Sequence, residues 1–186
     1  MARRADDRRN PAESAAGLQR LWAPWRRGYL EAAAGRRPLK CIFCLRRAAA
    51  TALHERLVLR ATPLVIVMLN RYPYNTGHLM VAPRRHVASP ELLTPREQTA
   101  LAAMVAAAVA NLRRAYRPDG LNLGANLGRA AGAGFAAHMH WHLVPRWTGD
   151  SNYMTVTAGT RVLSEMLDET FARLAPLFKA GRQPVS

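Results

Sequence analysis

His138-Met139-His140-Trp141-His142-Leu143-Val144 alternates an imidazole with a large apolar side chain. On an extended chain, alternate residues share a face, so this pattern predicts a strand with three imidazoles on one side. Met139, Trp141 and Leu143 then point to the opposite, apolar side. Three neighbouring imidazoles resist being protonated together. At least one is therefore expected to stay neutral near pH 7, the state that a nucleophile or a metal ligand needs. A polar exposed strand face and a purely metal-binding strand are the competing readings.

Working outward, Asn126–Ala137 reads as a loop carrying Gly128, Gly132 and Gly134. Its backbone N–H groups have little steric cover and could cradle phosphate oxygens. Leu121–Ala125 before it is a short strand. Thr94-Pro95-Arg96-Glu97 is a helix start, with Thr94 as cap, Pro95 in the first turn and Glu97 closing a capping box. Leu101, Met104, Val105, Ala108 and Leu112 follow at helical spacing, and Arg117–Gly120 ends the helix. Upstream, Arg56–Arg60 and Leu64–Leu69 form a predicted hairpin and His78–Pro83 a third strand. Val162–Leu177 reads as a C-terminal helix with Leu163, Met166, Leu167, Phe171 and Leu174 on one face. Trp22, Trp25, Tyr29 and Leu30 should pack on the core. Short links between consecutive strands predict an α+β fold, an antiparallel meander sheet with a long helix packed on it and a C-terminal helix.

The chain has 186 residues, enough for one domain with a real core. The expected organisation is a basic disordered arm at residues 1–17, a single domain at 18–180 and a tail at 181–186. The formal net charge is +15, and residues 1–37 hold nine Arg against four acids. That balance suits a phosphate-rich small substrate better than nucleic acid. No stretch is apolar enough to span a membrane, and no apolar segment follows Arg3–Arg4, so a cytoplasmic protein is expected. The two cysteines, Cys41 and Cys44, are too close for an ordinary structural disulfide; metal binding, redox chemistry and packing all stay open.

Cys41-Ile-Phe-Cys44, Asn70-Arg-Tyr-Pro-Tyr-Asn-Thr-Gly-His78, Leu79–His86 and His138-Met-His140-Trp-His142-Leu-Val together resemble the histidine-triad (HIT) proteins. The resemblance covers roughly residues 40–150. The flanks Leu21–Arg26 and Pro145–Met154 are similar to the branch that includes diadenosine tetraphosphate phosphorylases.

The resemblance implies that His140 attacks the α-phosphorus of a nucleotide or dinucleoside polyphosphate and carries the nucleotidyl group. It implies that His142 places a phosphate oxygen and that Asn70 binds the ribose hydroxyls. Ile42, Phe43 and Met68 would lie against the base, with Asn126, Gly132 and Gly134 in the phosphate loop. Inorganic phosphate is the implied acceptor. A hydrolase, acting on the same substrates or on nucleoside phosphoramidates, and a non-catalytic nucleotide-binding module are the alternatives. Structural zinc is implied on Cys41, Cys44, His78 and His138, while His54 and His86 read as structural or surface residues. A homodimer or higher homo-oligomer is implied as well. One departure stands out. Gly134 occupies a position where the family commonly carries Gln or Ser, so a side-chain donor to the phosphate is missing.

Overall fold

Val65–Leu69 and Leu79–Pro83 are buried at every position, which for strands means that both faces of the sheet are covered. They are β2 and β3 of a five-stranded sheet in a computed structural model that describes residues 41–44, 50–151 and 163–179. The other strands are β1 (Val58–Ala61), β4 (Gly120–Ala125) and β5 (Trp141–Arg146). Among the described residues the α-helices are α1 (Ala50–Glu55), α2 (Pro95–Tyr116) and α3 (Leu167–Lys179). The expected basic arm and the Trp22–Leu30 segment lie outside the described residues.

Every strand pairing is antiparallel, and the spatial order is β1-β2-β3-β5-β4. The α+β fold is as expected, but the meander covers only β1 to β3. The chain then crosses through α2 to the far edge, and β5 returns between β4 and β3. Composition explains the order. β5 buries Leu143 and Val144, whereas β4 (GLNLGA) buries none of its residues and suits an edge.

Period-two alternation sorts the side chains onto two faces. Val65, Val67, Leu69, Leu79, Val81, Met139 and Leu143 pack with Leu101, Ala108 and Leu112 of α2 and with Leu174 and Phe178 of α3. Val58, Ile66, Met68, Met80 and Ala82 form the other cluster, together with Phe43.

α2 begins as the sequence predicts. Thr94 accepts the Glu97 N–H, Glu97 reaches back to the Thr94 N–H, and Arg117 closes the helix in a left-handed conformation. Arg85 pairs with Glu97 at 2.7 Å and ties the end of β3 to that cap. α3 differs from expectation. It starts at Leu167, with the Met166 N–H capped by the Glu169 carboxylate. Leu163 and Met166 are consequently 39% and 74% exposed rather than on the buried face. Val162 lies outside the described residues. Leu167, Phe171 and Leu174 do meet the core.

Candidate active site and metal centre

β5 enters the sheet only at Trp141, so His138 and His140 precede its ladder. The Met139 N–H nevertheless donates to the Val87 carbonyl at 2.7 Å, which keeps the approach extended. The alternation therefore survives, with Met139, Trp141 and Leu143 toward the helices and the imidazoles on the other face.

Hydrogen-bond partners fix the tautomers. His140 Nδ1 lies 3.0 Å from the His138 carbonyl, which can only accept, so Nδ1 carries the proton. Burial holds the His140 pKa below the ordinary value, so near pH 7 the ring is neutral with a lone pair on Nε2. His78 is 1% exposed, and its Nδ1 accepts the Tyr74 N–H at 3.0 Å. Its proton is therefore on Nε2, which donates to His142 Nδ1 at 2.9 Å. His142 in turn must carry its proton on Nε2. Burial, then the neighbouring imidazoles, pushes His78 down to about 3 and His142 down to about 4. The rings of His140 and His142 stand 4.8 Å apart. A neutral nucleophilic nitrogen thus sits beside an imidazole whose outer N–H is available as a donor.

His138 does something different. Its Nε2–H goes to the Pro83 carbonyl at 2.9 Å, which leaves the Nδ1 lone pair facing Cys41 Sγ at 3.3 Å and Cys44 Sγ at 3.7 Å. His86 Nδ1 lies 3.1 Å from Cys44 Sγ. The four donor atoms of Cys41, Cys44, His86 and His138 lie within 4.8 Å of one another. Two thiols and two imidazole nitrogens are a normal tetrahedral zinc set, whose ligand atoms stand about 3.5 Å apart at ordinary bond lengths of about 2.0–2.3 Å. These residues fit zinc.

His78 is thus not part of the cluster, and His86 is not a partnerless surface residue. The register gives the reason. Antiparallel pairing sets Met80 opposite His142 and Val81 opposite Trp141. The start of the triad therefore lies beside the end of β3, next to His86. His78, immediately before β3, falls beside His142.

The remaining expected residues divide. Met68 and Ile42 belong to the cluster on the imidazole face. Phe43 is there too but is 0% exposed, stacked on His140 at 4.7 Å with an interplanar angle of 29°; no surface is left for a base to lie on. Asn70 Nδ2 is 3.4 Å from His78 Nδ1, while its Oδ1 accepts the Tyr72 N–H. Asn126 directly follows Ala125, which pairs with Trp141, so the glycine loop starts beside the triad. Within that loop the Gly132 N–H donates to the Arg129 carbonyl and the Ala133 N–H to the Gly128 carbonyl, so these two amides close turns instead of facing a phosphate. Gly134 is exposed. His54 meets Phe171 edge-on at 4.5 Å, a packing role.

The HIT domain family matches residues 53–149. An AP-4-A phosphorylase of Mycobacterium tuberculosis is 41% identical over 171 residues, covering 90% of this chain and 87% of the relative. An uncharacterized HIT-like protein of Saccharolobus solfataricus is 31% identical over 94 residues, covering 48% and 64%. Among solved structures, a histidine triad nucleotide-binding protein of Sulfolobus tokodaii superposes with a TM-score of 0.58 at 23% identity, covering 75% of this chain and 92% of the other. A zinc-bound histidine triad protein of Mycobacterium smegmatis superposes with a TM-score of 0.57 at 22% identity, covering 75% and 94%. The sheet order, the strand-borne imidazoles and these likenesses lead to one assignment: the chain belongs to the histidine-triad (HIT) family.

Proposed function

We propose that the protein transfers a nucleotidyl group from a dinucleoside polyphosphate such as diadenosine tetraphosphate to inorganic phosphate, through a covalent nucleotidyl-His140 intermediate. The observation that carries the chemistry is the tautomer pair, His140 with a free Nε2 lone pair and His142 with an Nε2–H. The choice of substrate and acceptor follows the AP-4-A phosphorylase that is 41% identical across 90% of the chain.

His140 Nε2 attacks the α-phosphorus, a P–N bond forms, and the P–O bond to the leaving nucleoside triphosphate breaks. The ring keeps its Nδ1 proton, whose new positive charge the His138 carbonyl stabilises. His142 donates from Nε2 to the developing charge on oxygen, and His78 holds it in the tautomer that can do so. An oxygen of inorganic phosphate then attacks phosphorus, breaks the P–N bond, and releases a nucleoside diphosphate. Met68 and Ile42 offer apolar surface to the base. Asn70 addresses the ribose, and Asn126 with the exposed loop around Gly134 addresses the phosphates.

Cys41, Cys44, His86 and His138 hold zinc in this reading. Bound there, the ion would supply a cross-link between the Cys41–Cys44 turn, the end of β3 and the approach to β5. A homo-oligomer belongs to the same reading.

Product analysis on diadenosine tetraphosphate with millimolar phosphate tests the proposal. ADP plus ATP is expected. AMP plus ATP, at a rate indifferent to phosphate, makes water the acceptor and overturns the phosphorylase reading.

A further inference from the structure

Among the described residues, one hydrogen bond, from Nδ1 to the His138 carbonyl, fixes which way the buried His140 ring faces. The torsion that turns an imidazole about its Cβ–Cγ bond is broad, and a single neutral hydrogen bond is a weak clamp on it. A half-turn of the ring would put Cδ2 where Nδ1 stands and Cε1 where Nε2 stands, and so carry Nε2 away from the substrate. Something else must restrain the rotation.

Phe43 is placed to do so. Its ring covers one face of His140 at 4.7 Å and 29°, and it touches His138 at 5.1 Å and Phe135 at 6.0 Å. Rotation of the imidazole would drive its edge into that ring, and the ring has no room to withdraw because Phe43 is wholly buried among Ile66, Met68 and Met80. Phe43 is delivered by a tight turn, closed by the Cys44 N–H on the Cys41 carbonyl at 3.3 Å. The cysteines flanking it bring their sulfurs to the Nδ1 of His138. The carbonyl of that same His138 takes the His140 proton. The turn and the residue that orient the nucleophile are therefore held by one cluster.

We infer that Phe43 is a positioning residue for His140: its ring braces one face of the imidazole and keeps Nε2 aimed, and the Cys41–Cys44 turn seats that ring. The inference rests on the reading of His140 as nucleophile. It replaces the expectation that Phe43 lies against a base.

The test uses the full-length protein with Phe43→Leu, which retains apolar volume but loses the flat face. Phe43→Met is the second variant if the first fails to fold. Turnover of diadenosine tetraphosphate should fall at least about tenfold, since misplaced reacting groups lose rate steeply. Affinity for AMP, measured by calorimetry, should stay within about twofold, because a positioning residue acts on the transition state. Unchanged kcat overturns the inference, as does a loss of AMP affinity equal to the loss in kcat/KM, which would make Phe43 a base contact. Long-range 1H–15N spectra at pH 8 read the imidazole without any substrate. The wild-type His140 should show one tautomer, protonated at Nδ1, and the Leu variant a mixture; identical ring signals in both overturn the inference. If the wild type turns over no dinucleoside polyphosphate, the functional reading fails on its own and the ring spectra still decide the role of Phe43.

Discussion

Replacing His140 with Ala removes the imidazole whose free Nε2 would form the covalent bond, yet it leaves Met68, Ile42 and Asn70 untouched. Turnover should therefore drop by at least about three orders of magnitude while nucleotide binding persists, the pattern of a lost covalent catalyst. Rapid-quench and equilibrium binding measurements check this; near-normal turnover would sink the mechanism. His78 carries a second expectation, about pH. In the folded protein it is held down to about 3 and His142 to about 4, against an unfolded value near 6.5. Both states are neutral above about pH 7, so stability is flat there. As pH falls through about 6.5 the unfolded chain gains protons that the folded one refuses, and stability is lost down to about pH 4, where the folded rings begin to charge. The melting temperature should fall across that window, and His78→Asn should flatten part of the fall. An unchanged profile in the variant would mean that His78 is not the group responsible.

The elements explain which parts of the site were legible in the sequence. Period-two alternation at residues 138–144 and the capping box at Thr94 are local signals, so the imidazole face and the start of α2 could be read directly. The candidate metal set is not local. It depends on which end of β3 lies beside His138, and that follows only from the antiparallel register and the insertion of β5 between β3 and β4. His86, three residues past β3, carried the signal, but nothing in its own neighbourhood advertised it. The same limit produced the long C-terminal helix, because apolar residues at helical spacing do not reveal that the cap is at Met166. The register makes a sharp prediction. His86→Ala should lose zinc from protein purified without chelator, whereas His78→Ala should retain about one ion per chain by elemental analysis; the reverse result would refute the cluster. A further prediction belongs to the turn before β3. Gly77 has φ +77°, and a Cβ there would stand 2.9 Å from the Tyr116 ring and 3.2 Å from Pro145. Gly77→Ala should cost about 1–3 kcal/mol in denaturant unfolding. Gly124→Ala, with open space around its Cβ, should cost no more than about 1 kcal/mol. Equal losses would show that the close approach does not matter.

At the scale of the whole molecule, charge and acceptor meet. The described residues carry 13 Lys and Arg against 8 Asp and Glu, so ten of the fifteen excess positive charges come from the other segments. Among the described residues no helix is long and apolar enough to cross a membrane. The proposed polyphosphate substrate would be drawn to such a chain by a long-range field. Ions weaken that field, since the screening length shrinks from about 30 Å at 0.01 M salt to about 8 Å at 0.15 M. Steering acts on encounter, so kcat/KM should fall as inert salt rises while kcat stays nearly constant. This bears on the acceptor experiment, because added phosphate is also added salt. The competing acceptor is water at about 55 M, roughly four orders of magnitude above millimolar phosphate. Phosphate wins only if the site holds it in line with the nucleotidyl-His140 bond, which the effective molarity of well-placed groups allows. With ionic strength held constant by chloride, the rate at which the nucleotidyl-His140 intermediate breaks down to ADP should rise with phosphate and saturate, as binding at a site requires. A breakdown rate that rises in strict proportion to phosphate, without saturating, would mean that phosphate is not bound before it attacks.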